Sequence, residues 1–272
     1  MIKNFRYELS FKNIDQLEKK LNFCKQNGIY SINIPCKGDI KKEFLLEIVD
    51  YLGIYYKNFD IVFHYSFYHQ YSKNRNNSIE LFLQFIEKSS YYKNNNILLV
   101  SGSKIRKSFE LIDVMYELRN EISGKNQFGV AFNPYFLNNE ELNTEKKRFI
   151  EKLNLNIINS VWLQFGSDIR SLSIQYNFLT EQINKIILNN NQQFKIYGSL
   201  FMPSKQLLAR FKFRPWRGVY LSNDYLNSLE EAKKLTKDIL RFYVNNNITP
   251  LVESDCSSMN QLQEIYYLAD IN

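Results

Sequence analysis

Glu8 stands in the second half of an apolar segment, FRYEL at 5–9. A carboxylate is costly to bury ionised. An acid there either faces outward to a neighbouring Lys or Arg, or sits inside as a general acid whose pKa burial has raised. The residues leave both open. Other polar residues close apolar segments in the same way. His64, Tyr65 and Ser66 follow DIVF, and ILLVSGS at 97–103 stops at Ser101-Gly102-Ser103 with no acid, base or metal ligand. Asn133-Pro134-Tyr135 follows FGVAF, Gln164 ends SVWLQ with Asp168 beyond it, and Glu253 and Asp255 follow ITPLV. Gln164 is either a satisfied core amide or a two-faced hydrogen-bonding group for a heterocycle. His64 reads as structural or as a site residue. No Ser–His–Asp or Cys–His set can be assembled from residue order alone.

Composition narrows the chemistry. Cys24, Cys36 and Cys256 are odd in number and widely spaced, and the chain has 2 His in total. That argues against a metal site and for reduced thiols. Neither a secretory stretch nor a run of roughly 18 apolar residues is visible, so a cytoplasmic location is expected and no membrane partner. Asn76-Asn77-Ser78 has glycosylation spacing but no secretory context. The 19 Tyr and 21 Phe leave room for self-association or a partner subunit. Net charge is +7. Most Lys falls in ordinary amphipathic positions, but KQLLARFKFRPWR at 205–217 packs five cations among Phe211, Phe213 and Trp216. One such segment is not the broad basic face that nucleic acid needs, and a nucleic-acid partner is not expected.

Eight β-rich segments must position these groups: 5–9, 30–34, 60–64, 96–100, 128–132, 160–164, 194–198 and 248–252. Segments of helical period lie between them, at 14–25, 40–52, 78–90, 108–122, 140–153, 171–188 and 228–245. Strands alternating with crossover helices mean a parallel sheet, and near-continuous apolar strands mean one covered on both faces. The expected fold is α/β, a single (β/α)8 TIM barrel forming one domain over 1–272. An open doubly wound sheet is the alternative, weakened by the lack of G-x-G-x-x-G after the first strand. The long stretch before the last strand predicts an extra turn or short helix at the barrel mouth. In a barrel, strand ends are where chemistry sits.

Taken in order, those ends resemble methylenetetrahydrofolate reductase, the flavin-dependent folate barrel. FRYELSFKN looks like F-E-F-F-P-P-[RK] without the prolines, FHYS like P-H-L-T, VAFNPY like V-A-x-Y-P-E, SVWLQF like the I-T-Q-F segment and IYGSLFMPS like I-P-G-I-x-P-[IV]. The resemblance implies reduction of 5,10-methylenetetrahydrofolate with FAD, and NADH or NADPH as electron donor. It makes Glu8 the general acid. Gln164, Phe201 and Arg210 would bind folate, with the 205–217 segment arching over the site. His64, Ser66, Ser101, Gly102, Ser103, Asn133 and Lys152 would face the flavin.

ILLVSGS departs from that pattern. It aligns with L-R-G-D but keeps only Gly102, so the charge that would tune a flavin is gone. Asn133 and Tyr135 replace the Tyr and Glu of Y-P-E. A folate barrel without flavin or reductase activity, and an unrelated barrel enzyme or binding protein, are the alternatives.

Overall fold

The computed structural model describes residues 5–36, 40, 42–71, 74–90, 96–100, 111–124, 126–190 and 193–269. Period-two apolar segments become strands and period-3.6 segments become helices. In order these are β1 (Arg6–Glu8), α1 (Ile14–Gln26), β2 (Ser31–Ile34), α2 (Lys42–Tyr55), β3 (Asp60–Ser66), α3 (Arg75–Ser90), β4 (Asn96–Val100), α4 (Leu111–Ile122) and β5 (Gln127–Phe132). There follow α5 (Asn139–Leu153), β6 (Ile158–Leu163), α6 (Ile169–Asn190), β7 (Lys195–Leu200), α7 (Lys205–Phe213), α8 (Asn223–Asn227), α9 (Leu229–Asn245), β8 (Thr249–Val252) and α10 (Met259–Ala269). The strands form a closed eight-stranded barrel in sequence order. It is parallel, with helices between strands, the (β/α)8 architecture read from the alternation. The long last gap holds α7 and α8. Among the described residues no helix is long and apolar enough to cross a membrane.

Close contacts gather the chain into two compact units. One holds Glu8–Val130 with Asn154–Asn159; the other holds the residues up to Tyr7, Ala131–Leu153 and Ser160–Asn272. In the first, β3 shows how strand alternation assigns faces. Phe63 and Tyr65 meet Phe85 of α3 at 5.8 and 5.0 Å between ring centroids, and Tyr65 meets Phe82 at 4.8 Å. Odd residues therefore face the helix layer. Val62, His64 and Ser66 must face the opposite side, away from α3.

In the second unit, Trp162 of β6 stacks on Tyr197 of β7 at 3.8 Å and 13° between planes. The Arg6 guanidinium lies 5.7 Å from the centre of the Tyr197 ring, a cation–π contact that places a buried charge against a π face. Two tyrosines then lie directly on backbone. The Tyr243 ring of α9 occupies the space a side chain at Gly198 would need, its Cζ 2.2 Å from an ideal Cβ, and Tyr135 does the same at Gly166, at 2.4 Å. Tyr243 also donates its hydroxyl to the Ser199 carbonyl at 3.2 Å.

Asp168, a strand-end candidate in the sequence, caps α6. Its Oδ1 accepts from the Arg170 and Ser171 amides at 2.9 and 3.0 Å, and its Oδ2 from the Ser171 hydroxyl at 2.7 Å. Burial pushes its pKa up, but the hydrogen bonds from Ser171 and Arg170 outweigh that and hold it below the usual carboxylate range.

Two outcomes follow. Gly198→Ala forces its methyl into the Tyr243 ring and should destabilise by about 1–3 kcal/mol or more in urea unfolding. Asp168→Ala should lose about 1 kcal/mol near neutral pH, as other cap removals do. Because the folded-state pKa is depressed, the cap's charge-dependent stability is present above the unfolded-state pKa and is lost as pH falls through the folded value. The gap between wild type and Asp168→Ala should therefore close in acid-side melts.

Candidate functional site

The polar residues that meet lie at the carboxyl ends of β1, β2 and β3. Leu9 donates its amide to the Asn33 carbonyl at 3.0 Å, fixing the chain after β1 against β2. Asn33 pairs with Val62 in the β2–β3 ladder, so it shares the face of Val62 and His64. The Asn33 amide nitrogen is 2.9 Å from His64 Nε2, and His64 Nδ1 is 3.8 Å from Glu8 Oε2. Glu8 is 6% exposed, His64 9% and Asn33 0%. The separation from Glu8 is beyond a direct hydrogen bond but within the range where opposite charges support each other.

Asn33 can donate through Nδ2 to an unprotonated Nε2 or, turned over, accept from a protonated Nε2 through its carbonyl. One asparagine thus accommodates either tautomer of the histidine as well as the imidazolium.

Around this cluster, Ser66 is buried and starts a tight turn, its carbonyl accepting from the Gln70 amide at 2.9 Å and its Oγ from the His69 amide at 3.4 Å. Gln70 donates to Cys36 Sγ at 3.2 Å and to the Ile40 carbonyl at 2.8 Å. Burial pushes the Cys36 thiol up, against the hydrogen bonds from Gln70 and the Ser66 backbone. Cys36 is a packed thiol, not a thiolate nucleophile.

Of the other expected site residues, Asn133, Lys152, Gln164, Phe201 and Arg210 lie in the other unit. Asn133 is a clamp: its amide donates to Glu145 Oε1 at 3.0 Å, its Oδ1 accepts from the Tyr135 amide at 3.0 Å, and its Nδ2 donates to the Gly218 carbonyl at 2.8 Å. Gln164 spends its carbonyl on the next amide, Phe165, at 3.1 Å. Phe201 is buried between Phe165, at 5.0 Å, and Trp216, at 5.4 Å. Arg210 is exposed on α7 and Lys152 is half-buried near the end of α5. Glu253 accepts from the Ser199 hydroxyl and donates its own amide to the Leu200 carbonyl at 2.9 Å. Ser101, Gly102 and Ser103 lie outside the described residues. No group of three His, Cys, Asp or Glu that could hold a metal ion occurs among the described residues.

Asn33 escaped the sequence reading. Its signal was there: in SINI, alternation puts it between two buried isoleucines on the face opposite to theirs, and a polar residue on that face of a covered strand needs a partner.

No family model matches the chain. No curated protein matches it either. Solved structures that resemble it include an aldo/keto reductase from Klebsiella pneumoniae in complex with NADP and acetate, at 13% identity and a TM-score of 0.47. An aldo-keto reductase from the same organism in complex with NADPH is similar at 13% identity and a TM-score of 0.48. Each alignment covers 98% of this chain and 85% of the other.

These comparisons correct the folate-reductase reading. No family model matches the chain, and the two solved structures named above are aldo/keto reductases bound to NADP or NADPH, not flavin-dependent folate barrels. Neither the reduction of 5,10-methylenetetrahydrofolate, nor FAD and a flavoprotein, nor the flavin-free folate barrel is supported by these comparisons. Gln164 Oε1 accepts from the Phe165 amide, and the Asn133 side chain bonds the Tyr135 amide and the Gly218 carbonyl. At 13% identity and TM-scores below one half, the aldo/keto reductases in turn give this chain neither a coenzyme nor a substrate.

The Glu8–His64 pair has a direct test. Glu8 Oε2 lies 3.8 Å from His64 Nδ1, so Glu8→Gln should move the NMR ring-proton resonances of His64 at a fixed pH. Unchanged resonances would mean that the two side chains do not meet in solution.

Proposed function

We propose that the chain is a barrel enzyme that moves a proton on a small polar molecule, with Glu8 and His64 as the acid–base pair and Asn33 as the residue that positions the imidazole. The observation that carries this is the geometry of three polar side chains on neighbouring strand ends. A buried carboxylate stands 3.8 Å from an imidazole whose far nitrogen is held at 2.9 Å by a fully buried amide. Carboxyl ends of barrel strands are where such enzymes place their chemistry, and convergent polar groups with two different titrating types are what acid–base catalysis needs. A purely structural cluster would be served as well by apolar residues of similar volume, without the cost of removing a carboxylate from water.

Proton transfer of this kind accompanies carbonyl reduction, isomerisation and hydration alike. The experiment is therefore a turnover screen. Purified protein is incubated with a small-molecule extract, with and without NADH or NADPH, and conversions are followed by mass spectrometry. At least one compound should be converted. Its rate should fall by about 100-fold or more in Glu8→Gln and in His64→Asn, with melting curves that still show a folded protein. Asn33→Ala should shift the pH dependence of the rate with a smaller loss. Conversion that survives both Glu8→Gln and His64→Asn would sink the assignment, and a protein that binds compounds without converting any would be a binding module instead.

A further inference from the structure

We infer that α7 and the turn after it form a docking face for an acidic segment of a partner protein. Leu208 and Phe211 are buried in a cluster with Phe165, Phe201 and Tyr225. That fixes which side of the helix faces in. By helical geometry, Arg210 and Phe213, three apart, are neighbours on the outward side. Phe213 is 85% exposed and Trp216 38%. The segment 205–217 contains no Asp or Glu, and among the described residues Lys205, Arg210, Lys212 and Arg214 make no ion pair. Arg210 and Arg214 are like charges at (i, i+4), a spacing at which they repel. An anionic partner relieves that repulsion.

The face is pre-formed. The Trp216 ring packs on Phe211 at 4.7 Å and on Phe201 at 5.4 Å. Asn133 holds the Gly218 carbonyl at 2.8 Å, at a φ of 81° that suits glycine. Ser222 donates its amide to Ser167 Oγ at 2.7 Å. A held surface loses little freedom on binding.

The chemistry of the exposed groups selects among anionic partners. Arg, Trp and Phe crowded together are what protein interfaces enrich. Single-stranded nucleic acid calls for a basic groove that tracks several nucleotides. A membrane surface calls for an amphipathic helix with a continuous apolar face, and this nine-residue helix turns one large ring outward. An acidic peptide with an aromatic or aliphatic anchor fits an exposed ring flanked by Arg210, Lys212 and Arg214 in the same short segment.

The test uses the full chain and three probes in fluorescence or sedimentation binding: a labelled peptide of glutamates interleaved with tryptophans, an oligothymidylate of equal net charge, and phosphatidylserine vesicles. The peptide should bind most tightly, with affinity falling as salt rises. Arg210→Glu combined with Arg214→Glu should weaken it by about tenfold or more, and Phe213→Ala severalfold, with unchanged melting because all three side chains point outward. Absence of peptide binding, indifference to the charge reversal, or tighter binding of the oligonucleotide or the vesicles would overturn the proposal.

Discussion

A carboxylate removed from water has to find compensation nearby, and Glu8 imposes that requirement on the strands beside it. The His64 ring stands 3.8 Å from it, and Asn33 lies 2.9 Å from the far nitrogen of that ring. Three strands therefore share one condition. A one-residue slip of β2 against β3 would turn Asn33 toward the helix layer and replace it with an isoleucine, stranding the imidazole. The ladder from Ser31 and Asp60 through Ile34 and Phe63 is thus specified twice. Apolar burial on the outer face sets it once, through Phe63, Tyr65 and their ring contacts with α3. The polar chain on the other face sets it again.

Elsewhere the same alternation is enforced by shape. Gly166 and Gly198 have no side chain because Tyr135 and Tyr243 lie against their backbone. Both rings are fully buried, and burial raises both hydroxyls far above their ordinary pKa, so both serve as neutral packing groups, and Tyr243 also as a donor to the Ser199 carbonyl. Asn133 links this packing to the surface: its backbone carries on from β5, its side chain turns the chain toward Tyr135, and its amide fixes Gly218 beyond α7. The exposed aromatic and basic residues of 205–217 are consequently held by a clamp that begins at a strand end. Interior order is transmitted outward along a short run of specific hydrogen bonds.

Much of this architecture was legible from periodicity. β4 spans the very residues read as a strand, 96–100, and the remaining strands differ by one or two residues at one or both ends. Strong alternation, or continuous Ile, Leu and Val, is what a covered parallel strand demands, and few competing structures satisfy it. The later pieces were harder. α10 follows a serine-rich turn and carries an ordinary mixture of Leu, Ile and Tyr. α7 was noticed for its charge, which hid the Leu208 and Phe211 stripe that makes it a packed helix. In the site, Glu8 and His64 were legible because charged or titratable residues inside apolar strands are costly. Asn33 was not, since a lone asparagine in an asparagine-rich chain draws no notice until its face is known.

The readings of fold and reaction parted for a physical reason. A parallel barrel brings eight strand ends to one side at regular intervals, and polar residues collect there because that is where the sheet stops being covered. Short matches to another barrel's strand ends, in the right order and at the right spacing, therefore test mainly whether the chain is a barrel. They are not independent votes on chemistry, since the fold itself imposes their order. What separates one barrel enzyme from another is which of those residues bond a ligand and which bond the protein. Gln164, Asn133 and Asp168 all stood at the positions where a site was expected, and the structure gives each of them an internal partner: the Phe165 amide, the Gly218 carbonyl and the first turn of α6. Glu8, His64 and Asn33 instead lie against one another on neighbouring strand ends, and the proton-transfer role proposed for them rests on that geometry and not on any likeness of sequence.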